Sequence, residues 1–285
     1  MSQIEVKNLS YKYGVGTPFE VTALDNISFS VEKGEFIGLI GHTGSGKSTL
    51  LQCFNGLLKP EGELYIDGVN ICEKNNAKGI CFKVGLVFQY PEHQLFEDTV
   101  YKDIAFGPKN MGLSEGEIKD RVCEALKFSG LSEEILEKSP FELSGGQKRR
   151  VAVAGVIAMR PEILVLDEPA AGLDPIGRDS ILANLREYHK KEGKTVILSS
   201  HNMDDIARNC EKVLVMNSAR LEMFETISEV FKRSERLKEI GLDVPMLTSV
   251  FEELLKEGYP VNSGIYTVEQ AVNEIIAAKD GGKNA

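Results

Sequence analysis

Gly41-His42-Thr43-Gly44-Ser45-Gly46-Lys47-Ser48-Thr49 is the stretch on which the reading of this chain turns. A Gly, four residues, then Gly-Lys-Ser/Thr is a phosphate-loop pattern with nothing missing. The pattern carries weight only between a strand and a helix, and the flanks supply both. Glu35-Phe36-Ile37-Gly38-Leu39-Ile40 is a short apolar run that reads as a buried strand. Leu50-Leu51-Gln52-Cys53-Phe54-Asn55-Gly56 reads as a helix stopped by Gly56. Gly41, Gly44 and Gly46 let the backbone curl so that its N–H groups face inward, and the helix N-terminus adds its dipole. In such a cradle Lys47 reaches the β- and γ-phosphates, Ser48 gives its hydroxyl to Mg²⁺, and Thr49 is placed for the α-phosphate. The whole loop, with His42, Thr43 and Ser45, is therefore expected to bind a nucleotide.

Composition bounds the rest. A chain of 285 residues has room for one large domain and a small one. Its apolar content of 42% supports a full core. No apolar run approaches the roughly 18 residues that cross a bilayer, and Met1-Ser2-Gln3-Ile4-Glu5-Val6 does not read as a secretion signal. The five cysteines are odd in number and scattered, which fits free thiols in a reducing compartment. A net charge of −10 argues against general nucleic-acid binding.

Along the chain, buried strands keep delivering polar residues at their C-terminal ends, where ligands sit in open parallel sheets. Val84-Gly85-Leu86-Val87-Phe88 delivers Gln89, placed to meet Mg²⁺ or an attacking water. Ile163-Leu164-Val165-Leu166 delivers Asp167, which can hold Mg²⁺ through water. Glu168, one residue on, can polarise a water for in-line attack on the γ-phosphate. Thr195-Val196-Ile197-Leu198-Ser199-Ser200 delivers His201, a candidate γ-phosphate contact. A second glycine-rich helix start follows Leu143: Ser144 caps it, and Gly145 and Gly146 leave its first N–H groups open to an anion. The basic triplet Lys148-Arg149-Arg150 reads as a solvated or interface face. A helix over 113–128 has Ser114 and Glu117 as a capping box.

Upstream, Ile4-Glu5-Val6 and Ile27-Ser28-Phe29-Ser30-Val31 read as strands. Between them Tyr11, Tyr13, Gly14 and Gly16 mark a flexible loop, from which Tyr13 either stacks on an adenine ring or packs on the sheet. Downstream, Val213-Leu214-Val215-Met216 and Leu221-Glu222-Met223-Phe224 form a closing hairpin. Beyond Thr226 the chain turns amphipathic and helical, with no visible chemistry and a disordered tail expected at 280–285.

Taken together these residues resemble an ABC-type ATPase, over most of 1–225. Residues 41–48 match the Walker A loop, and 164–168 the Walker B strand with its catalytic glutamate. Residues 143–147, ending in Gln147, match the signature motif. Gln89 matches the Q-loop, Ala171-Gly172-Leu173-Asp174 the D-loop and His201 the switch histidine. Tyr13 falls where that family keeps its adenine-stacking aromatic. The resemblance implies an α/β fold: a P-loop NTPase (RecA-like) core with a mixed sheet, an antiparallel β-subdomain and a helical signature subdomain near 95–160. It further implies a nucleotide-binding domain over 1–226 and a small C-terminal helical domain over 227–285. ATP and Mg²⁺ are the implied cofactors. Two ATP molecules would be sandwiched in a head-to-tail dimer, each phosphate loop facing the partner's Ser144-Gly145-Gly146, with Gln147 and Asp174 at the same seam.

A narrower likeness lies in Gln89-Tyr90-Pro91-Glu92-His93-Gln94-Leu95-Phe96, Phe106-Gly107-Pro108-Lys109-Asn110 and the run after Gln147. These resemble the ATPases of energy-coupling factor importers, and most of all the second of the two paralogues that pair there. That family would make this chain a peripheral subunit on the cytoplasmic face of the cell membrane. It would drive uptake of vitamins or transition-metal ions with a second ATPase, a membrane T-component and an S-component, and with no nucleic acid. Tyr90, Leu95 and Phe96 would line the groove for a T-component helix. The family usually keeps a glycine in the last hairpin turn; Asn217-Ser218-Ala219-Arg220 has none, which puts the hairpin geometry in question. The alternative from another class is a soluble nucleic-acid- or ribosome-associated ABC ATPase.

Overall fold

The computed structural model describes residues 2–73 and 76–281. Uninterrupted apolar runs need cover on both faces, and here they form the middle of a parallel sheet. Strands β1 (Ser2–Tyr13), β2 (Val21–Glu32), β4 (Glu61–Ile66) and β5 (Val69–Asn70) make one antiparallel sheet in the order β2-β1-β4-β5. Strands β3 (Phe36–Gly41), β6 (Val84–Val87), β7 (Ile163–Asp167), β8 (Thr195–Ser199), β9 (Lys212–Asn217) and β10 (Arg220–Thr226) make the second, in the order β10-β9-β3-β8-β7-β6. All pairings in the second sheet are parallel except β10 with β9. This is the mixed-sheet P-loop NTPase fold.

Side-chain alternation divides the core. On β3, Ile37 and Leu39 face the antiparallel sheet and helix α1 (Lys47–Phe54), whereas Phe36 and Ile40 face the opposite layer. On β7, Ile163 and Val165 take the first face and Leu164 and Leu166 the second. The short α2 (Ile80–Lys83) leads into β6. The opposite layer holds α3 (Val100–Asn110), α4 (Glu115–Phe128), α5 (Gly145–Ile157), α6 (Pro175–Glu192) and α7 (Met203–Asn209). Helix α4 starts at the expected box: Ser114 accepts from the Glu117 N–H, and the Glu117 carboxylate accepts from the Ser114 N–H.

After β10 come α8 (Ile227–Phe231), α9 (Ser234–Glu239), α10 (Met246–Lys256) and α11 (Val268–Gly281). Ile227, Val230, Phe231 and Leu237 pack into the main core. Phe251, Ile265 and Ala271 form a separate small cluster, pinned where Thr248 Oγ1 donates to the Ile265 carbonyl at 2.8 Å. Of the tail expected at 280–285, the helix takes up residues 280 and 281, and 282–285 lie outside the described residues. No helix among the described residues is long and apolar enough to cross a membrane.

Two expectations are corrected. Tyr11 and Tyr13 are not in a loop: β1 runs through both, paired with Leu24 and Val21 of β2, and their rings meet edge to face with centroids 4.9 Å apart. Glycines pulled the reading toward a loop, but the first of them, Gly14, falls just after the strand. The basic triplet does not form one solvated or interface face: Arg149 is buried, at 5% exposed, while Lys148 and Arg150 on either side are half-buried. The hairpin in question does form. Ser218 and Ala219 both sit in the left-handed region, at φ 48° and 69°, and close a two-residue turn without glycine.

Candidate active site

The phosphate loop is a turn of the backbone between a fully buried strand and a helix that starts without a side-chain cap. Gly46 is the N-cap of α1, at φ 102°, and no side chain accepts from the first N–H groups. Those donors are left for a ligand. A Cβ on Gly46 would lie 2.3 Å from the Ala23 carbonyl oxygen, so only glycine lets the loop pass there. From the other side the β9–β10 turn props it: the Ala219 N–H donates to the Ser45 carbonyl at 3.2 Å, and the Ser218 N–H donates to His42 Nε2 at 3.3 Å. That contact leaves the His42 proton on Nδ1, beside the Thr43 carbonyl at 2.9 Å. The missing glycine leaves Ser218 and Ala219 in a left-handed conformation that glycine would adopt more readily, and the bonds to the phosphate loop hold them there; the turn is a support that motif reading overlooked.

Lys47 is 7% exposed, and its ammonium donates to the carbonyls of Gly41 at 2.6 Å and His42 at 3.1 Å. Burial pushes its pKa down, while the charges of Glu168 and Asp167 pull it up. Ser45 Oγ is buried without a partner. A desolvated ammonium and uncapped N–H groups converge on one turn, and a polyphosphate would satisfy both. Ser48 is exposed at the mouth and Thr49 is buried behind it. Tyr13, at the end of β1, places its hydroxyl 3.3 Å from Thr49 Oγ1.

The strand ends bring the other candidates to the same edge. Asp167 is buried at the end of β7. Glu168 follows with φ 52°, a conformation costing a non-glycine residue about 1–3 kcal/mol and held only where the surroundings demand it. Here the Glu168 N–H donates to the Ser199 carbonyl at 3.1 Å. Its carboxylate is 12% exposed and spans two partners: Gln89 Nε2 donates to Oε2 at 3.4 Å, and His201 Nε2 lies 2.5 Å from Oε1. A cleft of about 390 Å³ is lined by Ser48, Gln89 and Asp167. No group of three or more His, Cys, Asp or Glu among the described residues could hold a metal by itself. Ser48, Gln89 and Asp167 offer oxygen donors that suit Mg²⁺ only with phosphate and water completing its shell, which is how that ion is usually held.

The second glycine-rich helix start stays out of this cluster. Ser144 Oγ accepts from the Gln147 N–H, and the Gln147 side chain accepts from the Ser144 N–H at 3.0 Å, a complete capping box on α5. Gly145 is exposed and Gly146 half-exposed. Asp174 likewise caps its own helix, accepting from the Gly177 N–H at 2.8 Å. The buried Arg149 was missed as a site-shaping residue. No sequence signal marked it: the residues that follow on α5 are apolar in an unbroken run from Val151 to Ala154, so spacing singles out no buried face that would include Arg149.

The sequence profile of the ABC transporter family matches residues 24–171. The chain is 56% identical over 283 residues to the energy-coupling factor transporter ATP-binding protein EcfA2 of Caldanaerobacter subterraneus subsp. tengcongensis, covering 99% of both chains. It is 51% identical to the protein of that name from Clostridium acetobutylicum, covering 98% of this chain and 99% of the relative. Among solved structures it resembles cbiO1 of Clostridium perfringens, described as part of the ABC transporter complex cbiONQ, with a TM-score of 0.73 and 40% identity, covering 88% of this chain and 99% of that one. It also resembles a dimeric ATP-binding cassette in a post-hydrolysis state with ADP and Pi, with a TM-score of 0.71 and 31% identity, covering 79% and 98%. The chain thus belongs to the ABC transporter ATPases and, among them, to the energy-coupling factor transporter ATP-binding proteins.

Proposed function

We propose that this chain binds and hydrolyses ATP with Mg²⁺ to drive import of a vitamin or a transition-metal ion through a membrane complex. The observation that carries the hydrolytic role is Glu168, held between Gln89 and His201 on the edge where Lys47 is buried. Glu168 is the general base for the attacking water. Gln89 and His201 orient that water and the γ-phosphate. Lys47, Ser48 and the loop N–H groups at 41–49 hold the phosphates, Tyr13 stacks on the adenine, and Ser48, Gln89 and Asp167 hold the metal. The effects are positioning and charge clamping. Mg²⁺, when bound, neutralises charge developing on the phosphate oxygens.

The seam residues Ser144, Gly145, Gly146, Gln147 and Asp174 act from one subunit on the nucleotide of the other. The working unit is then a dimer, with a second, paralogous ATPase as the partner, docked on a T-component and an S-component at the cytoplasmic face of the membrane. Of the three expected groove residues Tyr90 and Phe96 are exposed, but Leu95 is buried in the main core; Phe106, exposed and edge to face with Phe96 at 4.9 Å, takes its place in a groove that suits a membrane subunit's helix. We assign the nucleotide-binding domain to 1–226, its helical part to about 95–160 and the interaction domain to 227–285.

Two experiments test this. Pull-down of the tagged chain from detergent-solubilised membranes should recover a second ATPase and a T-type membrane protein. Recovery of ribosomal or nucleic-acid partners instead would sink the import role and leave the ATPase standing. Glu168→Gln should keep ATP binding and lose turnover; unchanged hydrolysis would remove Glu168 as the base.

A further inference from the structure

Between the start of α5 and the catalytic edge lies one buried cation, Arg149, with two separate contacts. Arg149 Nη2 donates to the main-chain carbonyl of Gln89. Arg149 Nε lies 3.5 Å from Glu92 Oε2, in the short 3-10 turn Pro91–Gln94 that follows Gln89. A Cβ built on Gly172, in the loop after Glu168, would lie 3.7 Å from Arg149 Nη1. The pair with Glu92 is close but not closed: Arg149 Nε and Glu92 Oε2 are both buried without a hydrogen-bond partner. A charge this deep is retained only where several groups hold it, and a guanidinium can address them at fixed angles at once.

We infer that Arg149 is a positioning residue for hydrolysis. It fixes the Gln89 backbone so that the Gln89 side chain reaches Glu168, and so ties the exposed start of α5 to the general base of the same chain. The path is short and made of contacts on one protein: α5 to Arg149, Arg149 to the Gln89 carbonyl, Gln89 Nε2 to Glu168 at 3.4 Å. Arg149 touches no reacting atom. A nucleotide engaging Gly145 and Gly146 would press on the same helix four residues upstream of the cation, so the signal that the seam has closed has a route to the base. The inference rests on the hydrolytic role proposed above for Glu168 and Gln89.

The test is steady-state ATP hydrolysis by the full-length chain in its native membrane complex, with thermal melting of each variant. Arg149→Met should lower kcat about tenfold or more with the KM for ATP within about threefold, because binding groups are untouched and orientation is lost. It should also lower Tm, since Glu92 is left without its cation. Adding Glu92→Gln to Arg149→Met removes that unpaired charge and should restore Tm without restoring kcat. Arg149→Lys keeps the charge but not the planar fork, and should fall between wild type and Arg149→Met in kcat even if the methionine variant fails to fold. Recovery of kcat together with Tm in the double variant, or wild-type kcat in Arg149→Lys and Arg149→Met, would overturn the inference. Wild-type complex that binds ATP but does not hydrolyse it would instead overturn the ATPase reading, and this one with it.

Discussion

Two helices of this chain have glycine at their N-terminal ends and both look like anion sites, yet they are built in opposite ways. Helix α1 is capped by Gly46 in a left-handed conformation, with no side-chain cap and with Lys47 buried as its first residue. Helix α5 begins at Gly145 after the Ser144 cap with a complete capping box, with Gly145 exposed and neither Gly145 nor Gly146 in the left-handed region. The first end is a socket finished by its own chain: its donors, its cation and two carboxylates face one another. The second is satisfied where its own residues can reach and open only at the glycines, facing outward. An end of that kind has a role only when another molecule brings the anion to it, whereas the first can hold a phosphate alone. Placement thus separates a site from a half-site where the motifs look equivalent.

The largest expected effect lies at the socket. Glu168→Gln should reduce ATP turnover by roughly 10²–10⁴-fold, the range that a positioned general base contributes, with ATP affinity retained. The same measurement on Gly145→Ala should also lose turnover, but only through the dimer: the monomer's ATP affinity should stay at the wild-type value. Monomer affinity that falls in Gly145→Ala would erase the distinction between the two ends.

Next in size is a contrast in stability between like substitutions. Gly46→Ala meets a carbonyl oxygen at 2.3 Å and a φ of 102°, so it should cost about 1–3 kcal/mol. Gly145→Ala meets nothing within 4 Å and sits in ordinary helical backbone, where alanine is preferred. It should leave stability within about 0.5 kcal/mol of wild type or raise it slightly. Urea unfolding of both variants gives the comparison directly, and equal losses would mean that the two loops are equally constrained. A smaller change is Ser144→Ala, which removes the cap of α5 and should cost about 1 kcal/mol, a value set by the reciprocal bonds to Gln147.

The socket was legible in the sequence because each of its parts carries its own local signal. The loop is a contiguous motif, and Asp167, Glu168 and His201 each follow an apolar run too short and too branched to be anything but a buried strand. The gap was in what two distant segments do to each other. Nothing in the order of residues says that Gln89 and His201 clasp Glu168 from two sides, or that Arg149 is buried against the Gln89 carbonyl. Charge alone argued for a solvated Arg149, and the partners Gln89 and Glu92, from one distant segment, reverse that argument. The β9–β10 turn failed differently: Ser218 and Ala219 adopt a conformation that favours glycine, and the gain that offsets it lies across the fold, in hydrogen bonds to the phosphate loop.

The smallest effect is a titration, and it distinguishes the two ends most cleanly, because only one of them holds an ionisable group. Burial depresses the pKa of Lys47 below its ordinary 10.5, and the Glu168 and Asp167 charges offset only part of that. Between the depressed value and 10.5 the unfolded chain holds a proton that the folded chain has released. Stability from this group therefore rises with pH across that window and is flat below it. Lys47→Met removes the group, so the urea midpoint of that variant should lack the wild-type rise on the alkaline side. Other lysines titrate alike in both proteins and cancel in the difference. Ser144, Gly145, Gly146 and Gln147 carry no titrating side chain, so Ser144→Ala should lower the midpoint and keep the rise. Saturating nucleotide should shrink the rise in wild type, because phosphate charge beside the ammonium restores its pKa. A rise that persists in Lys47→Met would place the buried charge elsewhere and remove the electrostatic half of the contrast between the two ends.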